Sequence, residues 1–212
     1  MTEIEYFCNW SKVIDFNLLH KALDEIKRLN IKDLCPSYKN IFKAFNLCDY
    51  NNLKVILLGM DPYSQRGVST GVAFANNNDI KCISPSLKVL LKSARGEEKA
   101  PYDLVDWCNQ GILPLNASLT TMVGKTGVHS WIWRPFVSSL LHKVSISDRA
   151  LVFILLGNDA QSFENVIYKE GNFILKEKHP SWYARNNVDM PDKVFRETET
   201  ILKDYRNFEL IW

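Results

Sequence analysis

Four short apolar runs constrain this chain more than anything else in it: Val55-Ile56-Leu57-Leu58, Ile112-Leu113-Pro114-Leu115, Leu151-Val152-Phe153-Ile154-Leu155-Leu156 and Phe173-Ile174-Leu175. Each is too short for a buried helix, and three are rich in Val, Ile or Phe, so they read as strands covered on both faces. Pro114 makes the second the weakest strand, because proline has no N–H to give to a ladder. Amphipathic stretches lie between the runs, from Ser86 to about Arg95, about Trp133 to Val144 and about Asp159 to Lys169. A last helix is expected from Pro191 to Tyr205, opened by a proline at a first-turn position. Strands alternating with helices imply a parallel sheet. The expected fold is therefore α/β, one domain over residues 1–212 with a central four-stranded parallel twisted sheet flanked by helices. Its first 50 or so residues are helical by pattern. Val13, Phe16, Leu19, Leu23, Ile26 and Leu29 recur at spacings of three and four, and Tyr38, Ile41, Phe42 and Phe45 do the same after Pro36.

The bulk numbers narrow the partners. A chain of 212 residues, 46% hydrophobic and 24% charged, has the composition of an ordinary globular domain. No apolar run approaches the ~20 residues a membrane span needs, and the start, MTEIEYFCNW, has no basic-then-apolar build-up. The protein is expected to stay in the cytoplasm, or the nucleus of a eukaryotic host, rather than be secreted. Five scattered cysteines with no C-x-x-C pair read as reduced thiols and argue against a zinc or iron–sulfur site. A net charge of +2 leaves any nucleic-acid contact to a local face.

Each strand run ends in a polar, turn-forming cluster: Gly59-Met60-Asp61-Pro62-Tyr63, Asn116-Ala117-Ser118, Gly157-Asn158-Asp159 and His179-Pro180-Ser181. Taken singly they are bland. Asp-Pro opens turns, Asn caps strand ends, and a histidine before proline is commonly a loop residue. Ligands of open parallel sheets, however, bind at the carboxyl ends of the strands, so four such clusters would meet at one cleft.

The segment from Leu58 to Phe74, LGMDPYSQRGVSTGVAF, resembles the water-activating loop of family 1 uracil-DNA glycosylases. Further similarities follow in that family's order: Ile83-Ser84-Pro85-Ser86-Leu87, Gln110 to Asn116, Val152 to Gln161, His179-Pro180-Ser181 and the ending Ile211-Trp212. The likeness runs from about Pro36 to Trp212, and several motifs in fixed order are far more specific than one.

The resemblance implies a base-excision repair enzyme that flips uracil out of single- or double-stranded DNA and hydrolyses its N-glycosidic bond, without metal or cofactor. It implies Asp61 and His179 as catalytic groups, the first orienting water and the second donating to uracil O2. Phe74 would stack on the base, Asn116 would pair with its edge, and Tyr63 would exclude thymine's methyl, with Met60 beside them. Pro85, Ser86, Gly157, Asn158, Pro180, Ser181 and Arg185 would hold the DNA backbone, with Lys125, Arg134 and Lys178 adding charge. Tyr183 would enter the gap left by the flipped base. A monomer is expected, with room for a protein inhibitor or a replication partner.

Three positions depart from the family pattern. Met60 stands where the family has Gln, Ser64 where it has His, and Tyr183 where it has Leu. The alternative reading is a glycosylase-like DNA-binding or replication-accessory protein with weak or no catalysis; retention of Asp61, Asn116 and His179 together argues against it. The absence of a G-x-x-x-x-G-K-[ST] or G-x-G-x-x-G loop argues against a nucleotide-binding enzyme of another class.

Overall fold

A computed structural model describes residues 2–30, 32–78, 82–147 and 150–212. In chain order the elements begin with helices α1 (Glu3–Phe7) and α2 (Phe16–Arg28), strand β1 (Leu34–Cys35), α3 (Lys43–Leu47) and β2 (Val55–Gly59). Next come α4 (Pro85–Arg95), α5 (Val105–Asn109), β3 (Ile112–Asn116), β4 (Thr121–Met122) and α6 (Ser130–Ser147). The chain ends with β5 (Val152–Leu156), α7 (Asn158–Gln161), β6 (Phe173–Glu177), α8 (Pro180–Asn186) and α9 (Lys193–Arg206).

The four apolar runs form one parallel sheet in the order β3-β2-β5-β6. Every residue of β2 and β5 is buried, which is why these runs carry no polar alternation. β3 lies at the sheet's edge, and an edge strand tolerates Pro114 because its missing N–H leaves no ladder bond broken on the open side. The chain moves from β2 to β3 on one side and to β5 on the other, and this divergence opens a crevice above the carboxyl ends of the strands. β1 and β4 form a separate antiparallel pair.

The N-terminal segment is packed into the same core. Trp10 is fully buried, its indole N–H donates to the Cys48 carbonyl at 2.7 Å, and its ring meets the Phe45 ring edge-on at 5.1 Å. α2 buries Leu19, Ala22 and Ile26, the inward part of its three-and-four spacing, and Asp15 caps its N-terminus by accepting from the Leu18 N–H.

Some expectations need correction. The helix expected over 159–169 is two short turns instead, α7 and a 3₁₀ turn at Glu164–Val166. The Ser162 hydroxyl donates to the Asp159 carbonyl at 2.6 Å, and Arg134 from α6 donates to both the hydroxyl and the carbonyl of Ser162. Those bonds divert the backbone before a second helical turn forms. The final helix begins at Lys193, not Pro191. The turn-forming cluster His179-Pro180-Ser181 opens a helix, α8: His179 caps it and Pro180 occupies its first turn.

Candidate active site

Asp61, Pro62, Tyr63, Ser69, Val72, Phe74, Ser86, Asn116 and His179 line one small cavity above the sheet. A wider outer cleft, lined by Met60, Gln65, Thr126, Ser181, Ala184 and Arg185 among others, shares Asp61, Tyr63, Ser86 and His179 with it. Three of the four strand-end clusters therefore meet here, delivered by the ends of β2 and β3 and by the turn between β6 and α8, whereas Gly157, Asn158 and Asp159 line neither the cavity nor the cleft.

Close packing of small residues makes this possible. A Cβ on Gly59 would lie 2.7 Å from the Phe74 ring and 3.1 Å from the Asn116 side-chain oxygen, so only glycine lets both side chains close over the end of β2. A Cβ on Gly157 would lie 2.8 Å from that of His179. Phe74 has φ +66°, in the left-handed region, which costs a residue with a side chain about 1–3 kcal/mol. Its neighbours hold it there. The Tyr63 hydroxyl donates to the Phe74 carbonyl at 2.8 Å, and the Ala73 N–H donates to the Pro114 carbonyl. Ser86 Oγ lies 2.9 Å from the same phenol oxygen and can donate to it. Burial pushes the Tyr63 phenol up to about 12, so it stays a neutral, rigid wall. The Phe74 ring lies 5.6 Å from the imidazole of His179 at a tilt of 36°.

His179 is held in one tautomer. The Ser181 backbone N–H, which can only donate, reaches its Nδ1 at 3.2 Å, and the Ser181 hydroxyl lies 2.8 Å from the same nitrogen. Nδ1 is therefore the acceptor and the ring proton sits on Nε2. Burial first, then the nearby charge of Arg185, lowers its pKa to about 4. The site thus holds a neutral imidazole whose N–H has no partner among the described residues.

Asp61 is fixed by a group that sequence reading missed. The backbone N–H of Gly127, in the turn between β4 and α6, donates to its Oδ2 at 2.6 Å. Burial raises the pKa of the carboxyl, and the Gly127 bond offsets part of that rise. The signal available beforehand was Gly124-Lys125-Thr126-Gly127, two glycines in a turn-forming stretch. The Asn116 amide has no hydrogen-bond partner among the described residues, which leaves a donor and an acceptor presented to whatever enters.

Several expected contacts lie elsewhere. Met60 lines only the outer cleft, and its methyl group approaches Gly127. The Gly157 N–H is already donated to the Glu177 carbonyl at 2.9 Å, so it has no bond left for a phosphate. Asn158 is exposed, whereas Pro180 is buried. Pro85 and Ser86 begin α4 as expected, with the Ser86 hydroxyl turned toward Tyr63. Ser181 and Arg185 face the outer cleft, and Lys125 is exposed on the Gly127 turn. Arg134 is bound to Ser162 and lies over the Phe163 ring at 4.4 Å, away from a free role. Tyr183 is only 6% exposed, and its hydroxyl donates to Glu177 Oε1 at 2.6 Å.

Comparison with known proteins agrees with this geometry. The profile of the uracil DNA glycosylase superfamily matches residues 45–203. A uracil-DNA glycosylase from Campylobacter jejuni is 36% identical, with 96% of this chain and 92% of the relative covered. Uracil-DNA glycosylase 1 from Listeria monocytogenes is 34% identical over 91% of this chain and 89% of its own. Crystal structures share the fold: mimivirus uracil-DNA glycosylase has a TM-score of 0.75 at 20% identity, covering 100% of this chain and 93% of that one. The Y322L variant of the mimivirus protein in complex with UGI has a TM-score of 0.78 at 21% identity, covering 100% and 87%. By its sequence, this chain belongs to the uracil DNA glycosylase superfamily.

Proposed function

We propose that the chain removes uracil from DNA by hydrolysing the bond between C1′ of the deoxyribose and N1 of the base, leaving free uracil and an abasic site. The observation that carries this reading is one cavity holding a carboxylate, a neutral imidazole N–H and an unpaired amide, with two aromatic walls. A base in a duplex stack is out of reach of such a cavity, so the nucleotide must be flipped into it.

Each side chain has one task. Phe74 offers the ring on which the base lies. Asn116 gives its N–H₂ to O4 and accepts from N3–H, a pattern that cytosine reverses. Tyr63, pinned through its hydroxyl, stands against C5, where thymine carries a methyl. When the C1′–N1 bond breaks, its electron pair leaves with the base and negative charge gathers on O2. The Nε2–H of His179 donates there. The sugar is left cationic, and Asp61 stabilises it, orients the water that attacks C1′ and takes up the water's proton. One chain supplies every group, so a monomer is the acting unit. The complex of the mimivirus variant with UGI supports a protein inhibitor as a second kind of partner.

An oligonucleotide with one uracil, incubated with the protein and then treated with alkali, tests the reading. Strand scission at that position is expected, and intact strands would refute the activity. Asn116→Asp tests the pairing: uracil release should fall by ~10² or more, and cytosine release should become detectable, because the new carboxylate accepts from the cytosine amino group. Undiminished preference for uracil would overturn the scheme.

The pH profile tests the two charge states. Asp61 works ionised, and burial raises its pKa, so kcat/KM should fall with decreasing pH at a higher pH than for an ordinary Asp of about 3.9. His179 works neutral and is neutral above about pH 4, so no second break should occur near pH 6.5. A break there that vanishes on replacing His179 would count against the neutral imidazole.

A further inference from the structure

The geometry of α8 separates two adjacent aromatic residues. Successive helical residues are turned by about 100°, which puts Ser181, Ala184 and Arg185 on one side. That is the side facing the outer cleft. Tyr183 is rotated to the opposite side, 6% exposed, with its hydroxyl bound to Glu177 at the end of β6. Glu177 Oε1 also accepts from the Lys178 N–H at 2.7 Å, so Tyr183 ties α8 to the strand before it. Trp182 sits between the two sides and is 37% exposed. Its ring stands edge-on to Tyr183 at 5.0 Å, and the Lys178 ammonium lies 3.8 Å from its ring centroid. A large aromatic plane and a cation thus lie together immediately beside His179, outside the cavity.

We propose that Trp182, not Tyr183, is the side chain of α8 that stacks on a nucleobase next to the excised position, with Lys178 reaching the adjoining phosphate. Tyr183 is a buried anchor that sets the angle of α8. This rests on the glycosylase reading and names a residue that recognises the surrounding strand. The chemistry is sequence-tolerant, since every base has a π face, and the charge on Lys178 serves either the indole or a phosphate. The indole matters most in a duplex. There a flipped nucleotide leaves its neighbour without a stacking partner, whereas in a single strand the neighbours are already loose.

The test compares Trp182→Ala, Trp182→Phe and Tyr183→Phe with the parent, in single-turnover release of uracil from duplex and single-stranded oligonucleotides. Trp182→Ala should slow duplex excision about ten-fold or more and single-strand excision by less, with Trp182→Phe recovering most of the loss. Tyr183→Phe, which removes only the hydroxyl tie to Glu177, should slow the two substrates by the same factor. A second readout needs no catalysis. Only Trp131 and Trp182 among the tryptophans are exposed, so a uracil-free oligonucleotide should quench part of the indole fluorescence, and that part should vanish in Trp182→Phe. Duplex excision by Trp182→Ala at the parental rate would overturn the proposal. So would a loss in Tyr183→Phe matching that of Trp182→Ala while single-strand excision stays intact. If the parent released no uracil from either substrate, the glycosylase reading would fall, and the quenching would still report on stacking by Trp182.

Discussion

Asp61→Asn should bind uracil-containing DNA about as well as the parent and release uracil ~10²–10⁴-fold more slowly. The amide keeps the shape of the carboxylate, and its oxygen can still accept from the Gly127 N–H that now holds Oδ2 at 2.6 Å. What it loses is the negative charge beside C1′ and the capacity to take up a proton from water. Both matter only as the bond breaks, so the loss should appear in kcat with KM little changed. The partly buried setting that raises the pKa of Asp61 also makes its charge more effective, because little water screens it from the sugar. Single-turnover release from a uracil oligonucleotide, with a binding isotherm on the same strand, separates the two effects. Parental rates of release would remove Asp61 from the reaction.

Much of this site was legible in the chain because strand ends are easy to find. An apolar run of three to six residues leading, directly or within three residues, into Gly-x-Asp-Pro, Asn-x-Ser or His-Pro-Ser marks where a buried strand meets the edge at which parallel sheets bind ligands. The register of β2 with β3, which sets Gly59 opposite Asn116, is visible only in the fold. What stayed hidden depends on backbone groups and on helix rotation, and neither leaves a side-chain signature. The donor to Asp61 is a backbone N–H 66 residues further along the chain. The Gly157 N–H, assigned to a phosphate by resemblance, is taken by the extension of the β5–β6 ladder. A one-residue step along α8 exchanges an exposed indole for a buried phenol, and the capping of that helix by His179 together with the Tyr183–Glu177 bond fixes which is which. The broken helix after Asp159 has the same origin. Its apolar spacing was adequate, but the hydroxyl of Ser162 and the guanidinium of Arg134 claimed the carbonyls around the turn.

His179→Ala should lower kcat by ~10²–10³, the usual effect of removing one donor aimed at a developing oxyanion. The substitution leaves Asp61, Phe74 and Asn116 in place, so the base still enters and KM should move little. Ser181→Ala gives a smaller loss through a different route. Without the hydroxyl at Nδ1 the ring loses one of two donors that hold its proton on Nε2, so its pKa should rise and an acid limb belonging to the imidazole should move toward neutral pH. The double variant Asp61→Asn/His179→Ala then examines how the two groups divide the work. In the proposed mechanism one faces the cationic sugar and the other the anionic base, in a single dissociative step. Independent contributions to one transition state should multiply, giving a combined loss near the product of the two single losses. A double variant no slower than the worse single variant would mean that the two residues act as one unit, and the assignment of one charge to each would have to be abandoned.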